Sequence, residues 1–247
     1  MTEIGLAKRD FEEGRQNIRI TEREIEALRF TLEMKFASVE ALYQKFFRQE
    51  GSSNSRYAYE RVNLLRKNGY LRPVRIHTEG TVYYVATQVV ADLLQAEHPD
   101  ANIPRALAGI DVRTFEHDRK VLLCRVVRES IGKARDWTSE RVLRQTWSLA
   151  SGGLPNELVP DAIFTNSRGE RVAFELELSP KVTSRYFRKV ERFSLVIHRQ
   201  DGLFRRVLFV TCSPGVHKRL GEVCSPYKDS IFVVPFKEIV GGNHERA

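Results

Sequence analysis

The chain has 247 residues, 42% of them hydrophobic, enough to pack one large domain or two small ones. A formal net charge of +8 and a pI of about 9.5 favour a polyanionic partner, most often nucleic acid. No apolar run approaches the ~20 residues of a membrane span, Met1 to Asn17 hold no apolar signal core, and Cys124, Cys212 and Cys224 lack metal-type spacing, so a soluble cytoplasmic protein with free thiols and a frayed N-terminus is expected.

Thr21-Glu22-Arg23-Glu24 reads as a capping box that opens a helix running to about Lys35 and burying Ile25, Leu28 and Leu32. Ser38 caps a shorter second helix. After a Gly51-Ser52-Ser53-Asn54 turn, a third helix runs from about Ser53 to Lys67 with the apolar stripe Ala58, Val62 and Leu65, and Asn68-Gly69 ends it. Strands at Tyr70 to His77 and Thr81 to Ala86, joined by Thr78-Glu79-Gly80, form a hairpin.

Three helices and then a hairpin, with Leu64-Leu65-Arg66-Lys67-Asn68-Gly69-Tyr70-Leu71 at the junction, resemble a winged helix-turn-helix spanning about Ile20 to Leu94. In such a module the third helix lies in the major groove and its N-terminal half meets base edges. The resemblance implies DNA contacts from Ser53, Asn54, Arg56 and Tyr57, with Arg72, Arg75 and His77 on the wing. A dimerisation or docking role for the module is the competing reading.

Asp92 to Gly109 is polar and contains Pro99 and Pro104, which places a domain boundary there: 20–95 and 110–240 are the expected domains. A helix from about Arg113 to Glu129 follows, carrying His117 beside Asp118, which reads as a packed or capping histidine. Gly132 to Trp137 is a break or short strand, and Thr138 to Ala150 is partly helical. Glu140 there is either a fourth acidic ligand or a helix-start glutamate favoured by the dipole.

Val159-Pro160-Asp161-Ala162-Ile163-Phe164 and Val172-Ala173-Phe174-Glu175-Leu176-Glu177-Leu178 alternate with period two around the turn Asn166 to Glu170. A hairpin centred near Arg168 sets Asp161 opposite Glu175, with Cβ atoms roughly 5 Å apart. Glu177 points the same way, while Ala162, Phe164, Val172, Phe174, Leu176 and Leu178 form the core face. A structural wet face would pair such acids with Lys or Arg across the ladder, and none falls among these positions. A clustered acid face suits a hard divalent cation such as Mg²⁺ or Mn²⁺. Without metal the three acids repel, so one should carry a raised pKa, and Asp161→Ala should leave the metal-free chain as stable or slightly more so.

Pro180 is expected to start the next helix, running to about Arg199. One face holds Val182, Tyr186, Val190, Phe193 and Ile197; the other gathers Lys181, Arg185, Arg188, Arg192 and Arg199 for phosphate contact. A strand at Arg206 to Thr211, a helix from about Pro214 to Val223 and a strand at Ile231 to Pro235 complete the chain.

Pro160-Asp161, a turn, and Glu175-Leu176-Glu177 resemble the PD-(D/E)xK nuclease superfamily. Together with the first module and Tyr186-Phe187-Arg188-Lys189-Val190, the chain from Ile20 to about Phe209 is similar to the plasmid replication-relaxation family. The fold so implied is α/β (α+β), a winged helix followed by a restriction-endonuclease-like domain. The implied metal ligands are Asp161 and Glu175, with Glu177 beside them on the same face. The superfamily's lysine would fall at 177, where this chain has Glu177; Lys181, Arg185 or Lys189 are candidates to supply that charge.

The resulting expectation is a metal-dependent DNA nickase or endonuclease in which Asp161, Glu175 and Glu177 hold Mg²⁺ or Mn²⁺ and Asp161, Glu175, Glu177 and Lys181 are catalytic, acting on double-stranded DNA in plasmid mobilisation or replication, with a homodimer as a candidate assembly. The alternative is a winged-helix transcriptional regulator or replication factor with an inert nuclease-like domain.

Overall fold

Thr21 and Glu24 close the expected capping box around the start of α1 (Glu22–Glu33), each side chain bonding the other's backbone N–H. The computed structural model describes residues 19–48, 55–76, 80–150, 158–199 and 202–241. Glu24 also accepts from Arg61 Nε at 2.6 Å, which ties α1 to α3 (Arg56–Lys67). Ser38 caps α2 (Val39–Leu42), which continues into a wider π turn over Tyr43–Phe47. The stripe Ala58, Val62 and Leu65 is the buried side of α3. Strands β1 (Ala37–Ser38), β2 (Leu71–Arg75) and β3 (Val82–Ala86) make an antiparallel sheet of order β1-β3-β2.

The polar connection is shorter than expected. Gln88–Glu97 is a helix, α4, because Val90, Ala91 and Leu94 fall on one side and pack toward α1. The link to the second half therefore begins at His98. Then come α5 (Phe115–Ser130), β4 (Arg135–Ser139), α6 (Glu140–Ala150), β5 (Ala162–Thr165), β6 (Arg171–Glu177), α7 (Thr183–His198), β7 (Arg206–Thr211), α8 (Pro214–Cys224), β8 (Ile231–Pro235) and α9 (Phe236–Val240). The second sheet has the order β4-β5-β6-β7-β8; β4, β5 and β6 are antiparallel neighbours, and β6, β7 and β8 run parallel. The whole is a mixed α and β structure with two sheets.

Strand β6 is central and covered on both faces. Val172, Phe174 and Leu176 join a core that also holds α5 and most of the N-terminal module, so one apolar cluster runs through both halves of the chain. Ala173 and Ile163 lie in a second core built from Tyr186, Val190 and Phe193 of α7 and Val216 and Leu220 of α8. The acid face is thus roofed by helices rather than wet.

The β5–β6 turn is held by Asn166, whose side chain accepts from the backbone N–H of Arg168 and Glu170. Gly169 sits there at φ +80°, where a Cβ would meet only Arg135 Nη2 at 3.9 Å, an ordinary contact. Gly169→Ala should therefore lose about 1 kcal/mol through backbone strain alone, read as a lower urea midpoint with an unchanged slope.

Pro180 does not start α7. Val182 is extended (φ −61°, ψ 141°), and the Lys181 N–H goes to the Tyr186 hydroxyl at 3.0 Å instead of starting a helix. Val182 is 64% exposed and leaves the apolar face expected for it. Among the described residues no helix is long and apolar enough to cross a membrane. Cys124, Cys212 and Cys224 are free thiols.

Candidate functional site

Ala162 pairs with Phe174, and the same register carried one step sets Asp161 beside Glu175. Asp161 stands just before β5 and its Oδ2 accepts from the Leu176 N–H at 2.7 Å. Glu175 and Glu177 follow on β6, with only 4% and 1% of their surface exposed. The three acids come together at one end of the sheet.

The ladder offers them no cation, but α7 and the segment before it do. Lys189 Nζ donates to Glu175 Oε2 at 2.5 Å and lies 3.4 Å from Glu177 Oε1. Lys181 Nζ takes the other oxygen of Glu177 at 2.7 Å. The reasoning that an unpaired acid face implies a metal therefore fails on this point, because its cations arrive from outside the strands. Lys189 is the lysine at the Glu175 carboxylate, and Lys181 serves Glu177.

His117 is neither a packing nor a capping residue. It reaches Asp161 Oδ2 through Nε2 at 3.2 Å and Asp118 Oδ1 through Nδ1 at 3.5 Å. Burial opposes its charge, but the carboxylates on both nitrogens raise its pKa to about 10. Asp161 is correspondingly held low: burial alone would raise it, and the bond and charge of His117 outweigh that. Burial pushes Glu175 up, with the charges of Asp161 and Glu177 adding to it and Lys189 offsetting part, to about 8. Glu175 is the raised member that repulsion among the acids demands. Burial would also strip Lys189 of its proton, and Glu175, Glu177 and Asp161 keep it on.

Both oxygens of Glu177 face lysines, Oε2 at 2.7 Å from Lys181 Nζ and Oε1 at 3.4 Å from Lys189 Nζ. Among the described residues no group of three or more His, Cys, Asp or Glu side chains is arranged to hold a metal. Glu175 Oε1, however, is buried and meets no hydrogen-bond partner among the described residues. An orphaned carboxylate oxygen is costly, and next to Asp161 it gives a hard cation two carboxylates, which suffices for an ion that keeps its waters. Glu140 takes the helix-start role: its N–H donates to Asp161 O at 2.8 Å, and its carboxylate pairs with Arg144 at 2.6 Å.

The residues expected to meet DNA fall on two helices and a hairpin. Arg56 is exposed on α3 and pairs with Glu60 at 2.9 Å, and Tyr57 is half-exposed with its ring edge-on to Phe47. Ser53, Asn54 and His77 lie outside the described residues. Arg75 is exposed on β2, but Arg72 turns back to the carbonyls of Leu107, at 3.4 Å, and Ala108, which commits it to the link between the halves. On α7, Arg185 and Arg188 are exposed and Arg192 is half-buried.

The side chains beside the acids that sequence reasoning did not single out are His117, which touches Asp161, and behind it Asp118 and Lys35, the last 2.7 Å from Asp118 Oδ1. Only the adjacency of His117 and Asp118 hinted at the first two. Fold and site together describe a mixed α and β protein with a buried, cation-compensated carboxylate cluster. A scan against protein-family models, a search of curated proteins and a search of solved structures each returned no match.

Proposed function

We propose that this chain is a DNA-binding protein of mobile-element type, with a winged helix in its first half and a PD-(D/E)xK nuclease-like second half that nicks or cleaves duplex DNA. The observation that supports this most is the meeting of Asp161, Glu175 and Lys189 at one end of a sheet that is antiparallel and then parallel. Asp161 and Glu175 would hold Mg²⁺ or Mn²⁺, with Lys189 in place of the lysine missing at 177. Such an ion, when bound, activates water and stabilises charge on a scissile phosphate. Lys189 and Lys181 neutralise Glu175 and Glu177, which lowers the cost of bringing a phosphate to an acidic site. Arg185 and Arg188 on α7 supply phosphate contacts, and α3 with Arg56 and Tyr57 supplies site selection. From the sequence's resemblance to the plasmid replication-relaxation family we take the reaction to belong to plasmid mobilisation or replication.

The test is supercoiled plasmid with Mg²⁺ or Mn²⁺. Relaxed product should form with the parent and fall by at least about a hundredfold with Asp161→Ala, as for loss of a group acting only in the transition state. Equal product from both proteins, or none on any plasmid, removes the nuclease reading.

A second reading has its own support. His117, Lys181 and Lys189 balance the three acids without a metal. A DNA-binding regulator or replication factor with an inert second half then follows, and it binds duplex equally with and without chelator. Binding that survives Arg56→Ala and Arg75→Ala together would show that the DNA surface lies elsewhere.

A further inference from the structure

Met34 closes α1, and the next residue, Lys35, has φ +75°. That left-handed conformation costs an ordinary residue roughly 1–2 kcal/mol, and glycine or asparagine is the usual occupant after a helix. A lysine held there must be offset by what its side chain does. Its ammonium lies 2.7 Å from Asp118 Oδ1 and 3.7 Å from Glu140 Oε2, across the junction between the N-terminal module and the second half.

Asp118 is fixed from several directions. Lys35 and His117 share Oδ1, and the Thr114 hydroxyl donates to Oδ2 at 2.8 Å. His117 then stands between Asp118 and Asp161 with a carboxylate on each ring nitrogen. A ring engaged on both nitrogens has one orientation, as for the outer partners of metal-bound groups. A small cavity opens along this line of contacts, lined among others by Lys35, His117, Asp118, Ser139, Glu140 and Asp161. Ser139 Oγ, buried on its wall, has no hydrogen-bond partner among the described residues. The line of contacts therefore borders space that can admit water or a small polar group.

We propose that Lys35 is a positioning residue for Asp161, acting through Asp118 and His117, and that it couples the N-terminal module to the acid site. The consequence for metal and DNA rests on the nuclease reading; the placement of His117 does not. Because α1 and α3 are joined through Glu24 and Arg61, whatever engages α3 is linked to the end of α1 that carries Lys35. Coupling of this kind is reciprocal, so occupancy of the acid site is also felt by the module.

The test compares Lys35→Gly, Lys35→Arg and Asp118→Asn in the full chain. Glycine relieves the backbone while deleting the ammonium, so K35G should melt no lower than the parent. The His117 Nε2–H resonance, sheltered by Asp161 in the parent, should broaden or vanish in K35G and D118N and return in K35R. Mn²⁺ affinity measured by titration calorimetry should fall about tenfold in K35G and D118N, the lower end of what loss of an outer partner costs, and recover in K35R. Duplex DNA affinity without metal should stay within twofold throughout. An unchanged His117 resonance in K35G overturns the proposal, as does one lost in K35G and not regained in K35R. If K35G fails to fold, D118N decides by the same resonance. Absence of Mn²⁺ binding in the parent removes the metal reading alone, and the resonance still decides the role of Lys35.

Discussion

Above about pH 8, where Glu175 is ionised in the folded chain, Lys189→Met should lower stability by about 3–5 kcal/mol, the usual cost of removing one partner from a buried ion pair. The reason is what it leaves behind. Glu175 and Glu177 are almost fully buried, and Lys189 is the cation they share. Methionine keeps a side chain of similar length but not the charge, which in the parent also lies 5.9 Å from the Phe193 ring centre. Glu175 can relieve part of the penalty by taking up a proton, so the loss should grow as pH rises. Lys189→Met combined with Glu175→Gln should recover most of the stability, because the amide removes the orphaned charge. Urea denaturation of the two single variants and the double variant measures the coupling directly. A Lys189→Met variant within about 0.5 kcal/mol of the parent would show that the pair is solvated, because only surface changes are so mild.

The same network reverses one expectation drawn from the acids alone. Repulsion among three carboxylates suggested that Asp161→Ala would spare or stabilise the metal-free chain. In the folded chain Asp161 neutralises His117 and accepts the Leu176 N–H, so its removal strands a half-buried cation and a backbone donor. We expect that variant to melt below the parent.

The difference shows what a linear pattern carries. Period-two alternation placed Asp161 and Glu175 in register, because strand pairing is local across a short turn. Helical spacing located the buried side of α3 for the same reason. What pattern could not carry was the third dimension of the site. Lys189 meets Glu175 because α7 crosses the acid face at a particular height, and no spacing encodes that height. His117 belongs to a helix 44 residues before Asp161 in the chain and meets it only once the sheet has formed. Lys35 depends on a left-handed backbone that lysine rarely adopts, so its sequence context reads as an ordinary helix end. Pro180 misled for a simpler reason: a proline suits a first helical turn and an extended approach equally well, and here the Lys181 N–H is bound by Tyr186.

In chelator, stability should fall steadily from pH 6.5 to pH 8. His117 has a folded pKa raised from 6.5 to about 10, so its contribution is complete below pH 6.5 and is lost as pH rises toward 10. Glu175 is raised from 4.5 to about 8: the unfolded carboxyl has released its proton by neutral pH while the buried one retains it, so its contribution too is lost as pH rises through this range. Between pH 6.5 and 8 the folded chain therefore holds up to two protons that the unfolded chain has given up. Linkage makes the slope negative, with a ceiling of roughly 2.7 kcal/mol per pH unit at about 1.36 kcal/mol per proton. Asp161 and Asp118 are shifted downward and titrate in acid, outside this window. Glu175→Gln and His117→Gln should each remove one proton from the difference, and the double variant should be nearly flat. Urea midpoints at half-unit pH steps give the slope. A parent that gains stability from pH 6.5 to 8 would mean that Glu175 is ionised in the folded state and that its charge is already met by Lys189.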